Sequence, residues 1–361
     1  MRPRLLDFLL CPDCHGESFQ VTASKRDGER VLEGVIACRS CQHGGPILDG
    51  IPRLVPGKLQ AEVLRRFPGF RESVPPPFAS QAPAQGERGI ARTLKNYTED
   101  NEAGWFQTPP EERVTYEQAS DYMRFPTPLA DYRGKVGLDA GCGFGKDVFR
   151  VARDGGAEVV GADLSGRIDT AGQALASLPN VHLIQADLYT LPLRPKRFDF
   201  VLSLGMLHHL PDPRLGFFRL IPLVAPGGWI QIWVYKRGPA SMPIVAFEFV
   251  RRLTGAWPYA LHQAMGVLAG TAQWMTCSLP IRALEGMGQT SLAKRFPFYE
   301  HARYPWRPHM MMWVDNFHVP LWTCHTKDEI EEWLRASGLT RWETPLYEGE
   351  WMGHARGWAS A

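Results

Sequence analysis

Two pairs of cysteines, Cys11-Pro-Asp-Cys14 and Cys38-Arg-Ser-Cys41, are separated by 23 residues. Each C-x-x-C places two thiolates on one tight turn, and two such turns supply the four corners that a tetrahedral Zn²⁺ takes. With sulfur at every corner no coordination position stays open, so the metal expected at Cys11, Cys14, Cys38 and Cys41 is structural. A pair of disulfides is the alternative, which the expected cytoplasmic setting disfavours. His15 and His43 lie beside the pairs, but four cysteines leave them unnecessary as ligands.

A second group of residues could hold a nucleotide-like cofactor. It begins with Leu138-Asp139-Ala140-Gly141-Cys142-Gly143-Phe144-Gly145, where glycines let the chain turn sharply and a ligand approach closely. Such a turn alone is shared by dinucleotide enzymes and by ordinary loops. Its companions are Asp163, 24 residues beyond Asp139, and Asp187, 24 residues further on. A carboxylate at the first position can accept both ribose hydroxyl protons, and one at the second can accept from an adenine amino group. The three at regular spacing point to a cofactor site. His208 and His209 follow the next apolar run, and His318 and His325 come late in the chain. Of these, His209, His318 and His325 are the candidate general bases.

The elements that must position these groups are legible as apolar runs. Val136–Ala140, Val159–Ala162, Val181–Ala186, Phe198–Ser203 and Trp229–Val234 read as strands, with helices filling the gaps. Alternation of that kind is the sequence form of a parallel sheet covered on both faces by helices. Residues 1–56 instead hold short β-rich runs, Phe19–Thr22 and Gly34–Ala37, around the cysteines. So small a unit buries little core, and a metal would supply folding energy. Residues 57–133 combine a helical run at Leu59–Phe67, a proline-rich linker around Val74–Gln85, and further cap helices. Residues 134–361 form the third region, interrupted at about 236–325 by an insertion rich in Trp, Met, His and Pro. Thr326 and Glu329 open an amphipathic helix as a capping box.

The segment from Leu5 through Pro12, the second cysteine pair, and Gly45-Pro-Ile-Leu-Asp-Gly-Ile-Pro-Arg-Leu54 together resemble the small Trm112-like zinc ribbon. In that family the ribbon is a partner or fused appendage of methyltransferases. Asp139–Gly145, Gly161-Ala-Asp163-Leu-Ser165, Ala186-Asp187-Leu188, Phe198-Asp-Phe-Val201 with Leu207-His-His-Leu210, and Pro226-Gly227-Gly228 are similar to successive motifs of class I S-adenosylmethionine-dependent methyltransferases, the UbiE-like, type 11 group. The resemblance implies an α/β Rossmann-like fold, with a mostly parallel seven-stranded sheet between helices, the ribbon at the N-terminus and a helical lid insertion. It implies S-adenosylmethionine as cofactor, S-adenosylhomocysteine as product, and a binding set of Asp139, Gly141, Cys142, Gly143, Asp163, Leu164, Asp187, Leu188 and Leu204. Within that set Gly141 and Gly143 line the methionine moiety, Asp163 holds the ribose, Asp187 with the Leu188 backbone reads the adenine, and Leu204 passes near the sulfonium. A nicotinamide dehydrogenase would share the glycine turn, but not the second acid or the Pro-Gly-Gly turn.

Forty basic against 38 acidic residues neither require a basic patch for nucleic acid nor exclude a local one, while lysines are scarce and no basic run of five to eight residues appears. The expected acceptor is therefore a small or lipid-like metabolite, methylated at O or N. A tRNA or rRNA methyltransferase that uses the ribbon for RNA contact is the alternative. A fold retained for binding without turnover is the third reading, opposed by the intact glycine turn and acids. Tyr97, Trp105, Phe106, Tyr116, Trp257, Trp274, Trp306 and Trp313 are available to line an apolar acceptor pocket. Leu253–Ile281 holds no Asp, Glu, Lys or Arg, yet His, Gln, Pro and Gly interrupt it. It is expected either to cover the site or to rest in a membrane interface, without spanning.

Overall fold

The structure is a computed structural model that describes residues 1–57, 59–83, 86–102, 124, 126–237, 250, 253–254, 257–319, 321–345 and 352–360. Four strands, β1 (Phe19–Asp27), β2 (Arg30–Cys38), β3 (Gly44–Leu48) and β4 (Ile51–Pro52), pair antiparallel in sequence order. The first two run well beyond the short β-rich segments read from sequence, because the Gly28 turn at positive φ closes them into a long hairpin. Two helices follow, α1 (Leu59–Arg65) and α2 (Glu87–Glu102).

The second sheet has seven strands: β5 (Val136–Ala140), β6 (Glu158–Asp163), β7 (Val181–Gln185), β8 (Phe198–Leu204), β9 (Val224–Tyr235), β10 (Arg341–Glu343) and β11 (Met352–Trp358). Their order is β10-β11-β9-β8-β5-β6-β7. The five from β9 to β7 are parallel, β11 pairs antiparallel with β9, and β10 pairs antiparallel with β11, so β11 alone runs against the rest. β5 to β8 are apolar nearly throughout because both faces are covered. The helices between them are α3 (Lys146–Phe149), α4 (Arg167–Ala174) and α5 (Pro213–Leu220). The insertion contributes α6 (Tyr259–Gln273), α7 (Leu279–Gly286), α8 (Thr290–Ala293) and α9 (Trp306–His318), and α10 (Lys327–Ala336) returns to the sheet. Thr326 and Glu329 form the expected capping box on α10. No described helix is long and apolar enough to cross a membrane.

The two sheets share one apolar core. Phe8, Leu9, Ile36, Ile47 and Leu54 belong to the same buried cluster as Leu138, Val160, Ile184, Phe198 and Ile230. Backbone pairing also crosses the junction: Leu54 N–H donates to the Gln185 carbonyl at 2.8 Å, and Leu10 N–H to Pro192 at 3.0 Å. The proline-rich segment expected as a linker is instead strapped down. The Pro76 carbonyl accepts from Gly44 and that of Phe78 from Gly57, the Phe78 ring is fully buried, and Gln81 N–H donates to Thr190 Oγ1 at 3.1 Å.

Candidate active site

Strand order reverses at β5, where β6 and β8 lie on either side, and in open α/β sheets ligands bind beyond the carboxyl ends at such a point. A cavity of about 780 Å³, counting its open mouth, lies there. Gly141, Gly143, Asp163, Leu164, Asp187 and Leu188 all line it. Gly141 and Gly143 have φ of 87° and 52°, in the left-handed region. A Cβ on Gly141 would stand 2.3 Å from Met206 Cγ, so only glycine fits.

Asp163 fixes the turn. Its Oδ2 accepts from Gly143 N–H at 2.8 Å, and its Oδ1 from the Ser165 N–H at 2.8 Å and hydroxyl at 2.7 Å. A carboxylate offers about four acceptor positions. Three are taken, so the carboxylate has room for roughly one further donor rather than the two ribose hydroxyls expected from sequence. Asp187 is 2% exposed, and its Oδ1 accepts weakly from Tyr189 N–H at 3.4 Å. Its Oδ2 is buried with no partner among the described residues, and burial pushes the carboxyl up to about 6. A buried acceptor without a donor, on a cavity wall, suits a ligand amino group.

Other residues expected at the site stand behind it. Asp139 is buried beneath the turn, and burial together with nearby Asp147 raises its carboxyl. Cys142 is likewise buried, its thiol raised by burial and by Asp163. Neither lines the cavity. Leu204 packs into the sheet with Phe200 and Trp233, and the chain reaches the cavity one residue later, at Gly205 and Met206.

His209 lines the cavity, and its Nδ1 donates to the Leu321 carbonyl at 2.9 Å. A carbonyl can only accept, so Nδ1 carries the proton and Nε2 is the basic nitrogen of the neutral ring. His208 is fully buried between His209 and Tyr235, and burial holds it well below the usual histidine range. His318 and His325 are not at the cavity. His318 is buried on α9 with its Nδ1 3.0 Å from His262 Nδ1, and burial and His262 lower it to about 4. His325 meets Thr323 Oγ1 at 3.0 Å and packs on Trp333.

Tyr97 is the one expected aromatic that lines the cavity; Trp105, Phe106 and Tyr116 fall outside the described residues, and Trp257, Trp274, Trp306 and Trp313 are elsewhere. Sequence reading missed Ile90 and Thr93, which join Tyr97 at i, i+3 and i+7 on one face of α2. It also missed Arg167, whose guanidinium lies 4.2 Å from the Tyr97 ring centre and pairs with Asp315 at 2.8 Å. The available signal was Ile90 and Tyr97, seven residues apart on one face of α2.

The four cysteine sulfurs lie within 4.8 Å of one another. Cys11–Cys41 and Cys14–Cys38 are 3.5 Å apart, near the edge of about 3.8 Å that a tetrahedron with Zn–S of about 2.3 Å requires. The two turns match in detail: His15 N–H donates to Cys11 and Gln42 N–H to Cys38, each at 2.9 Å and each from a left-handed residue.

The methyltransferase-domain family matches residues 138–228. The ubiquinone biosynthesis O-methyltransferase of Albidiferax ferrireducens is 30% identical over 200 residues, 53% of this chain and 78% of that protein. The chain belongs to the class I S-adenosylmethionine-dependent methyltransferases. The namesake enzyme of Paracidovorax citrulli is similar to this methyltransferase at 28% identity, over 53% of the chain and 83% of its own. A solved structure, the 1,6-didemethyltoxoflavin-N1-methyltransferase of Burkholderia thailandensis, aligns with TM-score 0.43 and 16% identity over 78% of this methyltransferase and 93% of that chain.

Proposed function

We propose that this methyltransferase acts on an O or N atom of a small or lipid-like metabolite. The observation that carries the reading is a shared wall. The cavity that holds Gly141, Gly143, Asp163 and Asp187 is also lined by Ile90, Tyr97, Leu191, Leu210 and His209. An apolar lining with few polar groups suits a small organic acceptor. The similar relatives are named as O-methyltransferases of ubiquinone biosynthesis, which supports an acceptor of the small or lipid-like kind.

In this reading the left-handed turn at Gly141 and Gly143 gives the methionine moiety room, Asp163 accepts from the ribose, and Asp187 Oδ2 accepts from the adenine amino group. When bound, S-adenosylmethionine supplies an electrophilic sulfonium methyl. The chain's own task is to hold an acceptor in line with it and to exclude water. His209 Nε2 takes the acceptor's O–H or N–H proton as the new bond to carbon forms and the C–S bond breaks, leaving S-adenosylhomocysteine. The four cysteines hold a structural Zn²⁺ that fixes the ribbon against the sheet.

The test is transfer of label from methyl-labelled S-adenosylmethionine into a cell extract, followed by solvent partition and nuclease treatment. Label in solvent-soluble small molecules is expected. Label that nuclease releases would replace this reading with an RNA substrate, and absence of any transfer would overturn it.

A further inference from the structure

α6 has two unlike faces. Inward, Gly266 and Gly270 let it lie directly on α9: a Cβ on Gly266 would stand 2.7 Å from the Val314 nitrogen, and one on Gly270 2.6 Å from the Met310 Cα. Outward, Leu261 and Leu268 of α6 are exposed, and so are Met275 and Leu279 in the segment that follows it, Leu268 by 72% and Met275 by 58%. Leu261 and Leu268 lie seven residues apart on one stripe of α6, exposed Trp257 precedes it, and the chain winds wider over Trp274–Ser278 before Leu279 opens α7. A face turned to water normally carries charge, and this one has none from Leu253 to Ile281. Exposed Trp306 flanks the stripe, its indole N–H donating to Thr271 Oγ1 at 3.0 Å.

Beyond the stripe the character changes. Arg282, Lys294 and Arg295 are exposed among exposed Met287, Leu292 and Phe298. From 257 to 299 the chain's sole acid is Glu285, which is half-buried and accepts from the Tyr299 hydroxyl at 2.6 Å. A second copy of the chain seated about a two-fold axis would bring cations to cations. Anionic headgroups would pair with them, and tryptophans favour the level where acyl chains meet headgroups.

We propose that the outer face of α6–α8 docks on the surface of an anionic phospholipid bilayer. The stripe enters the acyl boundary while Arg282, Lys294 and Arg295 meet the headgroups. This places the face one layer from the cavity: α6 packs on α9, and α9 is tied to the cavity by Asp315 to Arg167 and by its His318 carbonyl, which accepts from Asn96 of α2 at 2.6 Å. The docking does not depend on the identity of the methyl acceptor.

The test is co-sedimentation of the full chain with vesicles of phosphatidylcholine alone and of phosphatidylcholine with phosphatidylglycerol. Binding to the anionic vesicles, weakened by salt, is expected. The double variant Leu268→Glu/Met275→Glu should lose roughly tenfold or more of it, as should Lys294→Glu/Arg295→Glu. Both pairs are exposed, and unchanged calorimetric affinity for S-adenosylmethionine reports an intact fold separately from docking. Wild-type protein that stays in the supernatant at low salt, or a double variant that binds like wild type, would overturn the proposal. So would a dimer that these substitutions disperse without any vesicle binding, which would assign the face to a second copy.

Discussion

Arg53 of the ribbon is fully buried, and its guanidinium reaches the Asp169 carboxylate of α4 at 2.7 Å. The same group donates to Gln185 Oε1 at 3.1 Å, and Gln185 Nε2 donates to the Leu164 carbonyl at 2.7 Å. Leu164 follows Asp163 on the cavity wall, so the ribbon is joined to the cofactor loop by two hydrogen bonds in series. Arg53→Met should therefore weaken both the fold and cofactor binding. Breaking a buried pair costs about 3–5 kcal/mol, and the low end applies because Asp169 keeps Arg66 at 2.8 Å. Urea unfolding and calorimetry with S-adenosylmethionine measure the two effects, and a variant unchanged in both would show the guanidinium to be idle.

Asp163→Asn should weaken S-adenosylmethionine by about 1.5–3 kcal/mol, the value of a hydrogen bond to a charged group. Asparagine keeps one acceptor oxygen for the turn, whereas alanine would also release Gly143 N–H and Ser165. Asp163→Ala should accordingly bind worse than Asp163→Asn and unfold at lower temperature. Equal affinity for wild type and both variants in calorimetry would remove Asp163 from the site.

The glycine turn and the two acids could be read from sequence because each sits within a few residues of a strand end, where local pattern fixes position. The cysteine pairs were legible for the same reason. Arg53 and Arg167 were not, since each acts on a partner far along the chain: Arg53 on Asp169, and Arg167 on Asp315 and on the Tyr97 ring. The late histidines show the converse. His318 and His325 have residue types suited to catalysis, yet helix packing turns one toward His262 and the other toward Trp333. Periodicity gives a helix face, but not what that face meets.

Purified protein should carry one zinc per chain, and stripping it with a chelator should lower the temperature of unfolding of the whole chain. A single transition is expected because ribbon and sheet residues share one buried cluster. Elemental analysis and calorimetry check this. Four titratable thiols without metal would defeat the zinc assignment, and two separate transitions would defeat the shared core.

Burial holds the Asp187 carboxyl at about 6, above its unfolded value of 3.8. Between those values the unfolded chain has lost the proton that the folded chain keeps, so stability falls as pH rises from about 4 to about 6 and is level above. The span corresponds to about 2–3 kcal/mol. Asp187→Asn should flatten this part of the profile and raise the stability of the cofactor-free protein at neutral pH. Cofactor affinity should move the opposite way in wild type, rising over the same interval as the acceptor oxygen becomes ionised. Urea midpoints that are parallel in the two proteins across this range would contradict the assignment.

His209 offers the sharpest test of the chemistry. The Leu321 carbonyl fixes the proton on Nδ1 at 2.9 Å, so the neutral ring has its lone pair on Nε2. A positioned base contributes about 10²–10⁴ in rate when the acceptor must lose a proton. Glutamine at this position can still donate to the carbonyl but has no basic nitrogen. His209→Gln should therefore lower kcat by that factor while S-adenosylmethionine binds as before, using the acceptor found by labelling. The deficit should shrink as pH rises, because an acceptor already ionised in solution needs no base. The wild-type rate should instead fall at low pH, as protonation of Nε2 removes the acceptor for the substrate's proton. A deficit of the same size at every pH, or one confined to KM, would leave His209 as a wall of the cavity that takes no proton.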